Sequence, residues 1–204
     1  MALDDDQGRA PALSVLSDAG LGLLTLHHLI EAVVVIVLGR HLQGAARTFS
    51  LVKGERPTPA LQLFGLANGI VIYKAFVTRV DPRLAIPGLF GFACSLALFE
   101  FARRTIRGKF FSYAFSHDLP QFLLTSGPYS YIRNPFYTSY LLAYVAAAIL
   151  FPGIATLGVL VMMGILLTKA ARYEERKFQS SPLAAEYEAY KQRTGRFIPR
   201  LYRQ

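Results

Sequence analysis

Long apolar segments separated by short polar stretches form the hydropathy pattern of this chain. A helix that crosses the hydrocarbon core of a bilayer needs about 20 mostly apolar residues. The first three apolar segments come close to this length, and the last two reach it if the fourth starts earlier and the fifth continues past Lys169. The segments are residues 20–38, 60–77, 84–102, 136–151 and 153–168. The pattern therefore predicts an all-α integral membrane fold with about five transmembrane helices.

Two further patterns place the C-terminal helices. The sequence FPG at residues 151–153 favours a tight turn, because proline and glycine both interrupt helices. The fourth and fifth helices are therefore predicted to form an antiparallel hairpin. The sequence SPLAAEYEAYKQRTG predicts a short helix that is capped by Ser181 and stops at Gly195. Tyr187 and Tyr190 share one face of this helix, and that face needs a surface to pack on.

The basic residues are concentrated on one side of this helix map. The chain has 22 lysines and arginines against 13 acidic residues, a net charge of +9, and 53% of its residues are hydrophobic. Residues 39–59, 103–134 and 169–204 carry 18 of the 22 basic residues. By the positive-inside rule these regions lie in the cytoplasm, and the N-terminal tail lies outside. Because the charge is spread over loops beside the spans, we predict no nucleic-acid partner.

The stretch SGPYSYIRNPFYTSYLL, residues 126–142, places rigid and polar residues directly before an apolar helix. Pro128 and Pro135 restrict its backbone at both ends, and Arg133 and Asn134 stand beside the membrane boundary. One interpretation is an ordinary helix start whose tyrosines lie at the membrane interface. The other is a preorganised wall for a small polar ligand, because fixed N–H groups at a helix N-terminus attract such groups.

The stretch KAARYEERKF, residues 169–178, follows the fifth apolar segment. If the helix continues through it, Arg172, Glu175 and Arg176 share one face, and Glu174 points elsewhere. Pairing between charged side chains one turn apart is common on solvated helix ends. The arrangement therefore fits either surface ion pairs or a set of charges that serves a reaction.

The first apolar segment contains the sequence HHLIE at residues 27–31. Ionisable residues inside a span are candidates for function, and His27 and His28 each stand about one turn from Glu31. A metal site needs further ligands, yet the chain has only four histidines and one cysteine. We therefore predict no metal, and we interpret the group as a polar contact within the bundle or as a wall of a substrate pocket.

Taken in order, the C-terminal motifs resemble the isoprenylcysteine carboxyl methyltransferase family. TSGPYSYIRNPFYTSYLL is followed by the hairpin, then RYEERKF, then EYEAYKQRTGRFIP. The family pattern is G-P-Y-x-Y-x-R-H-P-x-Y, a hairpin, R-x-E-E-x-x-L, E-Y-x-x-Y and I-P. The resemblance covers residues 124–199. It extends to the wider group of membrane methyltransferases, to which the phospholipid N-methyltransferases also belong. The chain departs from the pattern at Asn134, Phe178 and Ala185, where the family has histidine, leucine and glycine.

The resemblance implies that S-adenosylmethionine is the cofactor. It implies a pocket between the cytoplasmic end of the bundle and a C-terminal helical segment, without a Rossmann domain. The implied domains are an extracytoplasmic tail (1–19), an N-terminal transmembrane region (20–123) and a C-terminal catalytic region (124–204). The residues implied to bind the cofactor are Tyr129, Arg133, Asn134, Pro135, Tyr137, Tyr187, Tyr190, Phe197, Ile198 and Pro199.

The resemblance also implies methyl transfer to a lipophilic or prenylated acceptor, with carboxyl O-methylation of an isoprenylcysteine-like substrate as the default. Arg172 would orient the acceptor carboxylate, and Glu174 or Glu175 would anchor the cofactor or that arginine. If the acceptor is an amine, as in phospholipid N-methylation, a glutamate would serve as general base. Two other functions stay open, an NADPH-dependent membrane reductase and a non-catalytic membrane scaffold. The small size fits the inner membrane of a bacterium better than the endoplasmic reticulum.

Overall fold

The helices of the structure follow the apolar segments closely. The structure is a computed structural model that describes residues 10–50, 59–106, 111–112 and 119–200. Two short strands, β1 (Phe49–Ser50) and β2 (Phe111–Ser112), pair in parallel. The helices are α1 (Ala10–Thr48), α2 (Pro59–Val77), α3 (Pro82–Ile106), α4 (Pro135–Leu150), α5 (Ile154–Gln179) and α6 (Ala184–Arg193), with a 3-10 helix at Gly127–Ser130. Apart from the paired strands, the all-α prediction is confirmed for the described residues.

Within the described part of the chain, three helices are long and apolar enough to cross a membrane. They are Gly20–Gly44 within α1, the whole of α3 and the whole of α5. Gln62–Val77 and α4 are apolar but shorter. At 1.5 Å per residue, α4 is about 24 Å long, which is less than the hydrocarbon core of about 30 Å. The helices thus fit a membrane protein, and five as the number of spans stays a prediction. Of the predicted tail at residues 1–19, residues 10–19 belong to α1, and residues 1–9 and the predicted location of the tail lie outside the described residues.

Prolines and the predicted turn set the helix boundaries. α2, α3 and α4 each begin with proline. Proline suits this position because it lacks an N–H group, and the N–H of the first helical residue has no partner within the helix. α4 ends at Leu150 and α5 begins at Ile154, on either side of the FPG turn. Tyr137 near the start of α4 contacts Glu174 near the end of α5. The antiparallel hairpin is therefore confirmed, and α5 extends past Lys169 as predicted.

The predicted cap of the C-terminal helix is wrong, because it places the helix start too early. α6 begins at Ala184, and Ser181 lies in the turn before it. The Ser181 hydroxyl donates to the Phe178 carbonyl oxygen (2.7 Å) and accepts from the Leu183 N–H (3.2 Å). Its side chain therefore stabilises the tight turn that joins α5 to α6.

α3 and α4 approach closely because small residues face each other. A Cβ atom on Gly91 would lie 2.9 Å from the Cβ of Ala146. Ser95 of α3 donates a hydrogen bond to the Ser139 carbonyl oxygen of α4 (2.7 Å). Inside lipid, such close packing and interhelical hydrogen bonds hold helices together. The α3–α4 contact thereby fixes the first turns of α4, where the candidate site lies.

The histidine–glutamate group of α1 makes its contacts within its own helix. The two oxygens of Glu31 lie 3.2 Å from His27 Nε2 and 2.8 Å from His28 Nδ1. The His28 side chain is 70% exposed, so the predicted polar contact is local to α1 and does not reach a second helix. Among the described residues, which exclude His117, no cluster of three or more histidine, cysteine or acidic side chains is placed to hold a metal ion.

Candidate functional site

A cavity opens at one end of the bundle, where the first turn of α4 meets the last turns of α5. The volume of the cavity that is open to the centres of water-sized molecules is about 160 Å³. By the same measure, a site for a single water molecule needs only about 10–15 Å³. The cavity is therefore large enough for an organic ligand. Its lining residues are Leu119, Pro120, Gln121, Phe122, Leu123, Leu124, Tyr129, Arg133, Asn134, Pro135, Phe136, Tyr137, Ala171, Glu174, Glu175, Lys177, Phe178, Tyr187 and Tyr190.

The chain after α6 pairs with the loop before α4 through backbone hydrogen bonds. The N–H of Arg133 donates to the Gly195 carbonyl oxygen (2.8 Å), and the N–H of Gly195 donates to the Tyr131 carbonyl oxygen (3.1 Å). Gly195 has no room for a side chain, because a Cβ atom there would lie 1.6 Å from the Ile198 carbonyl oxygen. These contacts hold the C-terminal segment against the loop that forms one wall of the cavity.

Glu175 is the centre of an ion cluster in the cavity wall. Its Oε1 accepts hydrogen bonds from Arg133 Nη2 (3.1 Å) and Arg196 Nε (2.9 Å), and its Oε2 accepts from Arg196 Nη2 (2.7 Å). The Glu175 and Arg133 side chains are only 9% and 8% exposed. Arg133 Nη1 also donates to the carbonyl oxygens of Lys191 and Thr194. Both buried charges are therefore paired. The pairing matters for stability, because an unpaired charge in a buried position is strongly unfavourable.

Glu174 has a different partner from its neighbour Glu175. The Tyr137 hydroxyl donates to Glu174 Oε1 at 2.5 Å, and Tyr137 is nearly fully buried. Glu174 lies off the helix face that Arg172, Glu175 and Arg176 share, yet both glutamates line the cavity. Successive helical residues differ by about 100°, so the cavity must wrap around part of α5. Lys177, one turn after Glu174, also lines it.

Buried tyrosines form the wall that α6 contributes. The Tyr190 hydroxyl donates to the Tyr129 carbonyl oxygen (2.6 Å). The Tyr187 ring stacks on the Phe178 ring, with 4.4 Å between centroids and 8° between planes. Burial raises the pKa of Tyr190 to about 12, and it raises the pKa of Tyr129 and of Tyr187 as well. These phenols therefore stay protonated at neutral pH and can donate hydrogen bonds.

Most residues that were predicted to bind a cofactor meet around the cavity, but three do not. Ile198 is 75% exposed and Pro199 is exposed. Phe197 packs against the bundle core, and its carbonyl oxygen accepts a hydrogen bond from Thr138 Oγ1 (3.0 Å). These three residues belong to residues 194–200, which follow α6 and which we call the closing segment, and none of them lines the cavity. The predicted residues that line it are Tyr129, Arg133, Asn134, Pro135, Tyr137, Tyr187 and Tyr190.

The structure separates Arg172 from the other predicted catalytic residues. Arg172 and Arg176 are exposed and do not line the cavity, whereas Glu175 on the same helix face is buried. The arginines that bind Glu175 come from elsewhere in the chain, Arg133 before α4 and Arg196 after α6. The position of Arg133 in the cavity wall therefore favours it over Arg172 as the arginine of the site.

Reasoning from the sequence missed three parts of this site, namely Arg196, Lys177 and residues 119–124. Arg196 is the basic residue of TGRFIP, directly before Phe197, and that proximity was its only signal. Lys177 follows Glu174 by three positions, which places both on one side of a helix. Residues 119–124, LPQFLL, are apolar but too short for a span, so the hydropathy pattern gave them no role.

Comparison with known families bears on the same region. Residues 85–182 match the model of the phospholipid methyltransferase family, PEMT. The match spans just under half of the 204 residues, beginning in α3, running through α4 and α5 and stopping before α6. No curated protein matches the chain. The predicted resemblance to the wider group of membrane methyltransferases is confirmed by this match.

Proposed function

We propose that this protein is an integral-membrane methyltransferase that transfers the methyl group of S-adenosylmethionine to a lipophilic acceptor. The observation that carries the proposal is an overlap: residues 85–182, which match a methyltransferase family, supply most of the cavity lining. A fold alone does not imply an activity. The chemistry of the lining therefore has to suit the cofactor as well.

The lining offers partners for two parts of S-adenosylmethionine. Arg133 and Lys177 suit its carboxylate. The rings of Phe178 and Tyr187 suit an aromatic base. When bound, the cofactor supplies an electrophilic methyl group. The Glu175 cluster would keep the wall around it rigid, because both of its arginines and its carboxylate are already fixed by hydrogen bonds.

The contribution of the chain to the reaction is positioning and proton handling. Methyl transfer is an in-line displacement. Holding the two reactants in the right geometry supplies much of the rate acceleration of such a reaction. An acceptor carboxylate is already ionised at neutral pH and needs no base. An acceptor ammonium must first lose a proton, which Glu174 would accept, with the Tyr137 hydroxyl orienting its carboxylate.

Two acceptor classes are supported by different observations. The C-terminal motifs resemble isoprenylcysteine carboxyl methyltransferases, and this resemblance supports a carboxylate on a prenylated thiol compound. The description of the matched family, phospholipid methyltransferase, names a phospholipid. This supports a phospholipid amine as the second candidate acceptor. Both acceptors are amphiphiles, and both would present a head group to the charged side of the cavity.

We further propose five spans, with the N-terminus outside and the cavity and C-terminus in the cytoplasm of a bacterial cell. The cavity joins the start of α4 to the end of α5, next to two of the regions rich in basic residues. Labelling of single cysteines in a Cys94→Ala background tests this. Ser180→Cys should be protected from an impermeant maleimide in spheroplasts, and Gly153→Cys should react. The reverse pattern, or reaction of both, would refute the orientation.

Calorimetric titration with S-adenosylhomocysteine, beside NADPH, tests the proposed activity. We expect the purified protein to bind S-adenosylhomocysteine at micromolar concentration and to bind it more weakly after Glu175→Ala. Binding of NADPH instead would favour a reductase, and binding of neither by folded protein would favour a scaffold. Labelled methyl transfer to N-acetyl-S-farnesylcysteine and to phosphatidylethanolamine then separates the two acceptor classes.

A further inference from the structure

The irregular segment at residues 119–124, LPQFLL, belongs to the cavity wall. All six of its residues line the cavity, and none of them lies in a helix or strand. Its large apolar side chains are Leu119, Phe122, Leu123 and Leu124. We call residues 119–124 the strap.

The strap makes the cavity amphiphilic. The charged residues of the lining, Arg133, Glu174, Glu175 and Lys177, come from α5 and the loop before α4. The strap contributes mainly apolar surface, and Leu119 is 43% exposed while Phe122 and Leu123 are half-buried. A polar cofactor gains little from this surface. An alkyl or prenyl chain gains about fourfold in affinity for each CH₂ group that it buries.

The C-terminal end of the strap is anchored to the bundle. Leu124 packs against the bundle core, and Gly127 turns with φ +59° against Thr105. These contacts hold the strap at the cavity, where its apolar side chains are placed to contact a ligand.

We propose that the strap determines acceptor specificity, with Phe122 and Leu123 contacting the apolar chain of the acceptor while its head group faces Glu174. The inference rests on the proposed function, since it requires an amphiphilic acceptor. It assigns the strap to the acceptor and leaves the cofactor to the charged side and to α6.

Protection of a cysteine in the strap tests this assignment without requiring turnover. The protein carries Leu123→Cys and Cys94→Ala and is embedded in nanodiscs of phosphatidylcholine. The amine of this lipid is already fully methylated, so the lipid cannot serve as a methyl acceptor. The rate of reaction with a water-soluble maleimide is measured with S-adenosylhomocysteine present. N-acetyl-S-farnesylcysteine and long-chain phosphatidylethanolamine are compared with N-acetyl-S-methylcysteine and six-carbon phosphatidylethanolamine, which carry the same head groups.

We expect at least one long-chain compound to slow labelling of Leu123→Cys tenfold or more, and its short-chain counterpart to change it less than twofold. Ile198→Cys, which is exposed and outside the cavity, serves as the matched control and should label at an unchanged rate. Equal labelling with long-chain and short-chain compounds would overturn the assignment of the strap. Failure to bind S-adenosylhomocysteine would instead count against the proposed function, and the labelling rates would still report on the strap.

A kinetic comparison gives a second readout that a purely structural role would not produce. Leu123→Ala should raise KM for the long-chain acceptor about tenfold or more, while kcat and the Kd for S-adenosylhomocysteine stay within twofold. Ile198→Ala shortens an exposed apolar side chain outside the cavity and should leave KM within twofold. An unchanged KM in Leu123→Ala, or a parallel loss of cofactor affinity, would contradict the proposal.

Discussion

Arg196 binds Glu175 through two hydrogen bonds, from Nε to Oε1 at 2.9 Å and from Nη2 to Oε2 at 2.7 Å. This bidentate pair joins the end of α5 to the segment that follows α6. Arg133 binds the same carboxylate from the loop before α4, so three distant parts of the chain meet at one side chain. Planar bidentate pairing adds geometric specificity to the charge attraction. The cluster therefore fixes how the C-terminal segment closes on the cavity.

Glu175→Ala should destabilise the closing segment and weaken cofactor binding. The change leaves the buried Arg133 guanidinium without its carboxylate, and breaking a buried pair in this way costs about 3–5 kcal/mol. We expect a lower unfolding temperature and faster proteolysis after α6. Glu188→Ala is the matched control, because Glu188 is 50% exposed and pairs with the nearby Lys191, and surface pairs contribute about 0–1 kcal/mol. Equal stability of the two variants would contradict this role of Glu175.

Gly195→Ala should disrupt the closing segment by a steric effect alone. Its Cβ atom would lie 1.6 Å from the Ile198 carbonyl oxygen, so the backbone must move and the hydrogen bond from Arg133 to Gly195 must lengthen. Gly164→Ala is the control, since no atom lies within 4 Å of a Cβ there and alanine is favoured in helices by up to about 1 kcal/mol. Thermal unfolding should show a decrease for the first variant and no decrease for the second. Comparable curves would mean that the closing segment has another arrangement.

Tyr137→Phe and Glu174→Gln should affect turnover more than cofactor affinity. The Tyr137 hydroxyl binds Glu174 Oε1, and a general base typically contributes about 10²–10⁴ in rate. For an amine acceptor, Glu174→Gln should lower kcat within that range, and Tyr137→Phe should lower it less. For a carboxylate acceptor, kcat should change by less than about tenfold, because no proton is removed. We would measure kcat by steady-state kinetics with both acceptors and the Kd for S-adenosylhomocysteine by calorimetry. A loss of cofactor affinity as large as the loss of kcat would argue against a role in proton transfer.

Arg133→Ala and Arg172→Ala should differ strongly, although both remove an arginine from a predicted motif. Arg133 is buried and hydrogen-bonded to Glu175, Lys191 and Thr194, so its loss should weaken S-adenosylhomocysteine binding by at least about 100-fold, the equivalent of roughly 2.7 kcal/mol. Arg172 is exposed outside the cavity, so its loss should change the Kd by less than twofold. The sequence predicted that Arg172 orients an acceptor carboxylate, so a large rise in KM for a carboxylate acceptor in Arg172→Ala would support that prediction.

The sequence by itself determined the helices and much of the site inventory. Helix positions followed from local properties, namely runs of apolar residues, the prolines at the starts of α2, α3 and α4, and the FPG turn. Seven of the ten cofactor residues that the family resemblance implies line the cavity, and they lie in two short motifs of the sequence. The cap at Ser181 failed because its hydroxyl is used by the preceding turn.

Only the tertiary structure decided which charges meet. Helical periodicity places Arg172, Glu175 and Arg176 on one face, but it does not say which neighbouring segment covers that face. The partners of Glu175 come from 42 and 21 positions away, and no local pattern encodes such contacts. The strap was equally invisible, because residues 119–124 line a cavity together with residues of α5 and α6 that are distant in sequence. Burial and long-range pairing are properties of the folded chain, and for this protein they separate the residues of the site from those that only share its motifs.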